Sequence, residues 1–262
     1  MQLTLPILLV GLFSGFVQGL SGFAFGLVAA SLWAWMMEPQ QVVPMVVLGS
    51  LLGQCISILS VRQHIQLRRV VPFCIGSVPG VPVGASILGA LNASVFRFAV
   101  GCGLVVFCSL MLCASRLPKI RANATADGCI GFASGALTGA CGMGGPPVTL
   151  WCALRDWEVA VQRATYQCFF IVMQVQVLVV FAWHGIVNAP LLQAFLGLAP
   201  AVVIGSWTGA QLSRRFSANQ FRRLIFTLLL FAGLMLSLPE VIRFAGSGHQ
   251  AAAGSPTGSL SG

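Results

Sequence analysis

Charge is what this chain has least of. Only 7% of its 262 residues are Asp, Glu, Lys or Arg, against about 25% in an ordinary soluble domain. Five acidic and 14 basic residues cannot cover a water-facing surface of that size, whereas a lipid-facing surface needs none. A soluble enzyme is excluded. The acids Glu38, Asp127, Asp156, Glu158 and Glu240 each fall at the edge of an apolar run, so no segment centre carries the carboxylate of a proton relay. Also missing are a phosphate-binding glycine–lysine loop, a Ser/His/Asp set and a paired-histidine zinc helix. Catalysis is unsupported, and no cofactor or metal is expected. The nine cysteines contain no CxxC pair and lie within or at the ends of apolar segments, so they read as small packing residues.

What the chain has instead is apolar length. Hydrophobic residues make up 57% of it, in runs at about 4–36, 40–60, 70–90, 95–114, 128–152, 163–182, 189–210 and 219–239. A membrane span takes about 20 apolar residues. The runs show no strand-like alternation and their connections are short, so they predict helices and exclude a porin-type barrel. The expectation is an all-α polytopic membrane protein. The tail at 240–262, ending AAAGSPTGSLSG, is too rich in small residues to pack and is expected to be disordered. The N-terminal MQLTLPILLV lacks the basic region of a signal peptide and is expected to be retained. The net charge of +9 comes from arginines and lysines in short loops; these read as topology signals, and nucleic acid is not an expected partner.

A comparison of the chain with itself at an offset of 120 is the most informative observation. GLFSGFVQGLSG at 11–22 lies ungapped over GFASGALTGACG at 131–142, with Gly11/Gly131, Ser14/Ser134, Gly15/Gly135, Gly19/Gly139 and Gly22/Gly142 identical. The same register pairs Glu38 with Glu158, Gln54 with Gln174 and His64 with His184. Sparse polar residues in one register indicate a tandem duplication of a four-segment unit. The units are 1–115 and 128–239, joined by a basic linker at 116–127.

Counting Lys and Arg per loop tests the orientation. If all eight segments cross, the two sides receive seven each. If segments one and five dip in and return, twelve fall on one side and only Arg97 and Arg243 on the other. Only the second count obeys the positive-inside rule. It makes each half a glycine-rich re-entrant or broken helix followed by three spanning helices, so the halves are inverted repeats. Both termini are then expected in the periplasm.

The segments SGFAFG at 21–26 and CGMGGPP at 141–147 have the composition of helix breaks. Broken backbone in a bilayer belongs in buried protein or beside a wet cavity, and the two breaks are expected to meet near the midplane. The ladders Gly11/Gly15/Gly19 and Gly131/Gly135/Gly139 read as smooth packing faces. Gly22, Gly142, Gly144 and Gly145 adjoin a helix restart, where Pro146 and Pro147 suit the first turn. Free N–H groups and a positive dipole end make such a restart an anion site. Ser21, Gln54 and Gln174 are polar groups inside apolar runs and complete the candidate substrate site; Tyr166 and Gln167 are weaker candidates. His64 and His184 fall on opposite faces and read as interfacial residues.

The duplicated GLFSGFVQGLSGFAFG and GFASGALTGACGMGGPP segments, with eight apolar runs, resemble the sulfite exporter TauE/SafE family of membrane transporters over residues 4–239. The first break reads FAFG where members typically show a denser glycine cluster. The resemblance implies passage of small sulfur-containing anions, sulfite and organosulfonates among them, across a bacterial inner membrane. The expected partners are a small anion and the lipid bilayer, and homo-oligomer formation stays open. Two other classes stay open: a non-transporting subunit or assembly factor of a respiratory complex, and a sulfide or metal permease using Cys55 and Cys141.

Overall fold

The computed structural model describes residues 4–113, 119–120, 122–213 and 226–239. All regular structure among them is helical: α1 (Leu5–Ser21), α2 (Phe25–Trp33), α3 (Pro39–Ser57), α4 (Leu67–Ala90), α5 (Ala93–Cys113), α6 (Ala124–Cys141), α7 (Gly145–Leu154), α8 (Val159–Trp183), α9 (Ala189–Ser213) and α10 (Phe226–Pro239). Five stretches are long and apolar enough to span a bilayer: Pro39–Ser60, Leu67–Ala90, Ala93–Cys113, Val159–Trp183 and Ala189–Ser213. Large apolar side chains such as Ile75, Leu196 and Trp207 are exposed on their outer faces, which suits lipid as the surrounding solvent. The expected tail at 240–262 and part of the basic linker lie outside the described residues. α6 begins at Ala124, with the Asn123 side chain accepting from Ala126 N–H at its start.

The first and fifth apolar runs are each two helices. α1 stops at Gly22 and α6 at Gly142, both in the left-handed region with φ of 86° and 70°. Only glycine takes this conformation without strain. At the second break the Gly142 and Met143 N–H groups bond back to Thr138 and Leu137, closing the helix end. At the first, Gly22 N–H bonds to the Gln18 carbonyl, and the Ser21 hydroxyl accepts from Ala24 N–H at 3.1 Å while donating to Val17.

The glycine ladders are packing surfaces, and their partners lie far away in the chain. α1 lies along α9: a Cβ built on Gly15 falls 2.7 Å from the Val202 carbonyl oxygen, and one on Gly19 falls 2.6 Å from Ala210 N. α6 lies along α4 in the same manner, with Gly135 against Ser77 and Gly139 against Val81 and Ala85. In both pairs residue numbers rise together, so the helices run parallel. Backbone contact this close needs residues without side chains. Each broken helix therefore packs on a spanning helix of the other half, and the halves interlock.

The second break closes a hairpin. Arg155, which ends α7, lies 3.1 Å from Asp127 in the first turn of α6. Trp151 Nε1 donates to the same carboxylate at 2.7 Å, and Lys119 donates to the Ala153 carbonyl. The start of α6 and the end of α7 are thus side by side. At the opposite end, Glu38 and Gln41 share a surface hollow with Gly185, Asn188 and Leu191. Since α1 runs parallel to α9, which begins there, α1 starts at the end where α2 delivers the chain to α3.

Arg69 stacks over Trp157 at 4.5 Å, which places the α3–α4 connection at the Asp127–Arg155 end. Arg97 stacks over Trp35 at the other. Of the seven described basic residues, Arg62, Arg68, Arg69, Lys119, Arg155 and Arg163 lie at the first end and Arg97 alone at the second.

Candidate functional site: two helix breaks and a shared cavity

The breaks meet. A Cβ built on Gly26, in the first turn of α2, falls 2.5 Å from the Gly142 carbonyl oxygen, and one on Gly142 falls 2.9 Å from Val46 of α3. Between the breaks lies a cavity of about 20 Å³, lined by Gly26 and Leu27 of α2, Gly142 to Pro146, Thr138, Ser50, Gln174 and the rings of Phe23 and Phe170. That volume admits about one water molecule.

Two half-helices begin at this cavity, α2 at Phe25 and α7 at Gly145. Their first-turn N–H groups have no partner inside the helix, and the positive ends of both dipoles converge there. The halves contribute unequally. α2 keeps the N–H groups of Phe25, Gly26 and Leu27, whereas Pro146 and Pro147 leave α7 only that of Gly145. The break with fewer glycines is therefore the richer in donors.

Gln174 supplies the side-chain amide. Its Nε2 donates to Ser50 Oγ at 2.6 Å, and its buried Oε1 has no partner. A half-turn of the amide lets the Ser50 hydroxyl donate to Oε1 and leaves the NH2 group free to donate elsewhere.

Of the residues expected at the site, Gly142, Gly144, Gly145 and Gln174 line the cavity. Gly144 is also packed: a Cβ there would meet Thr138 Oγ1 and the Ser134 carbonyl, and its own carbonyl accepts from the Ser134 hydroxyl. Gly145 has more room, its nearest neighbour being Phe23 at 3.5 Å. The Ser21 hydroxyl is taken up by the first break, which it holds in shape. Gln54 sits behind the cavity, where its Oε1 accepts from the fully buried Gln18, which also donates to the Ser50 carbonyl at 2.8 Å. Gly22 lies apart, against Gln167, Tyr166 and Arg163 of α8.

Sequence reasoning missed Gln18, Ser50 and Thr138. Gln18 and Thr138 occupy matching positions at the offset of 120, one turn before each break, and that match was the available signal. Among the described residues no three His, Cys, Asp or Glu side chains gather as a metal site, and all nine cysteines are free. Cys141 is buried and Cys55 exposed. His64 belongs to the end carrying Arg69, and His184 caps the far end of the 25-residue α8.

Residues 7–236 match the model of the sulfite exporter TauE/SafE family. The chain belongs to this family of membrane transporters. It is similar to a protein of Cupriavidus necator described as a probable sulfite/organosulfonate exporter TauE, with 27% identity over 251 residues, 92% of this chain and 97% of that one. No solved structure matches the chain.

Proposed function

We propose that this TauE/SafE member exports a small sulfur-containing anion, sulfite or an organosulfonate, through the cavity between its two helix breaks. One observation carries the reading: the first turns of α2 and α7 open on one cavity beside the Gln174 amide. Converging helix N-termini favour an anion without a buried counter-charge. A cavity with room for one water is smaller than the anion, so passage requires the breaks to part. The left-handed glycines Gly22 and Gly142 are the natural hinges.

The same reading orients the chain. The end bearing six of the seven described basic residues is cytoplasmic, the two halves are inverted repeats in a bacterial inner membrane, and both termini are periplasmic. The exchanged pairings of α1 with α9 and α6 with α4, related by the offset of 120, support the duplication. Efflux of an anion from a cell that is negative inside is favoured by about 2.3 kcal/mol per charge per 100 mV, so export needs neither an ATPase nor a proton relay. A periplasm-active reporter fused after Arg243 is expected to be active.

The function is tested by a flux screen of the purified protein in liposomes over sulfite, sulfate, thiosulfate, sulfoacetate and simple carboxylates. Sulfite or a sulfonate should move well above the rate in protein-free vesicles. Equal leakage with and without protein for every sulfur anion contradicts the proposal.

A further inference from the structure

The geometry points to a second anion site, one to two helical turns from the cavity toward the basic end, formed by Arg163, Tyr166 and Gln167 of α8 around Gly22. This rests on the anion-transport reading above and adds to it the place where the anion is first held.

The three side chains project from one face of α8, since residues three and four apart are neighbours on a helix. They converge on one turn of backbone: a Cβ built on Gly22 would touch Gln167 Nε2 and lie 3.4 Å from Tyr166 Oη and 3.5 Å from Arg163 Nη2. Tyr166 Oη also donates to the Ser21 carbonyl at 3.4 Å.

The second observation is Gln167 itself. It is fully buried, yet neither Oε1 nor Nε2 has a hydrogen-bond partner. Arg163 Nε is likewise buried without one, and the one ion pair among the described residues, Arg155 with Asp127, leaves Arg163 without a carboxylate. The orphaned donors Gln167 Nε2 and Arg163 Nε, beside a guanidinium with no carboxylate, are a cost that a bound anion removes, because it accepts from both at once. A planar guanidinium suits the oxygens of a sulfite or sulfonate better than a point charge does.

The site is continuous with the cavity. Arg163, Tyr166, Gln167, Phe170 and Gln174 follow one stripe of α8 over about 16 Å, and Phe23, which lines the cavity, meets the Tyr166 ring at 5.9 Å. An anion held at Arg163 thus waits behind the Phe23 and Phe170 rings until the breaks part.

Tyr166 is the only tyrosine in the chain, so incorporating 3-fluorotyrosine gives a single fluorine resonance at the site. The full-length labelled protein is titrated with sodium sulfite at constant ionic strength, with sodium gluconate as the balancing salt, and sulfite flux is measured in parallel. The resonance should shift saturably with sulfite. Arg163→Gln should weaken that response about tenfold or more, and Arg163→Lys, which keeps the charge but loses the fork, should fall between. Monodisperse elution and a wild-type-like melting midpoint report that each variant has folded. The inference is overturned if wild-type protein moves sulfite while the resonance stays fixed, if gluconate shifts it equally, or if Arg163→Gln titrates like wild type. Absence of both flux and shift in the wild type overturns the transport reading along with it.

Discussion

Asp127 and Arg155 form a buried ion pair at 3.1 Å that fastens the first turn of α6 to the end of α7. The pair sits among tryptophans, with Trp151 donating to the carboxylate and Trp157 5.1 Å from the guanidinium. It fixes where the chain leaves after its second break, and so holds the start of α7 against the cavity.

Removing one partner strands the other charge, at a cost of about 3–5 kcal/mol, whereas an apolar pair of similar volume is often neutral. Asp127→Ala should therefore lower the thermal midpoint of the detergent-purified protein sharply. Adding Arg155→Met to Asp127→Leu should recover most of that loss. An unchanged midpoint in Asp127→Ala would show that the pair does not lock the hairpin.

Gly145 and Gly135 separate cavity from packing. At Gly145 a built Cβ makes only ordinary contacts, the nearest with Phe23 at 3.5 Å, so Gly145→Leu should still fold and insert while its side chain fills the cavity and abolishes flux. Gly135 faces the Ser77 backbone, where a built Cβ lies 2.9 Å from the carbonyl oxygen. Gly135→Leu should instead lower folded yield, measured as monodisperse protein after extraction. Normal transport by Gly145→Leu would move the pathway elsewhere.

Gly22→Ala and Gly142→Ala place a side chain in the left-handed region, at about 1–2 kcal/mol each. Gly142→Ala also presses on Val46 at 2.9 Å. It should reduce stability and slow transport together, read from melting and from initial flux. Gly89, with open space around it, is the matched control; a Gly142 variant as tolerant as Gly89→Ala would remove the hinge from the account.

Much of this arrangement was legible in the sequence. The glycines and prolines of SGFAFG and CGMGGPP marked both breaks, because a left-handed cap such as Gly22 or Gly142 favours glycine and so leaves a mark in composition. The ladder Gly11, Gly15, Gly19 announced a smooth face in the same way. It could not say that the face meets α9, since any helix with small residues at the right spacing would fit. Gln54 and Gln174 looked equivalent by register, yet Gln174 lines the cavity and Gln54 is held by Gln18. A glutamine in an apolar run reveals only that it is polar; its partners come from helices far away in the chain. Asp127 and Arg155 were hidden for the same reason, each appearing as a loop charge.

Gln18 ties α1 to α3 through the Ser50 carbonyl and Gln54. Gln18→Leu leaves the Gln54 amide without a buried partner and should cost about 1–3 kcal/mol, while Gln174→Leu, which strips the cavity of its amide, should weaken apparent anion affinity more than it weakens the fold. Half-saturating concentration and melting temperature, measured on both variants, separate the two roles. Identical behaviour would place both glutamines in one structural network.

The most direct test of an anion path between the breaks is sulfite movement through purified protein in liposomes whose membrane potential is clamped with potassium and valinomycin, with no proton or sodium gradient. For a monovalent anion moving alone, each additional 60 mV or so should change the equilibrium concentration ratio about tenfold, and Gly145→Leu should abolish the movement. Accumulation at zero potential that follows an imposed proton or sodium gradient, or sulfite leakage no faster than in protein-free vesicles, would contradict the account.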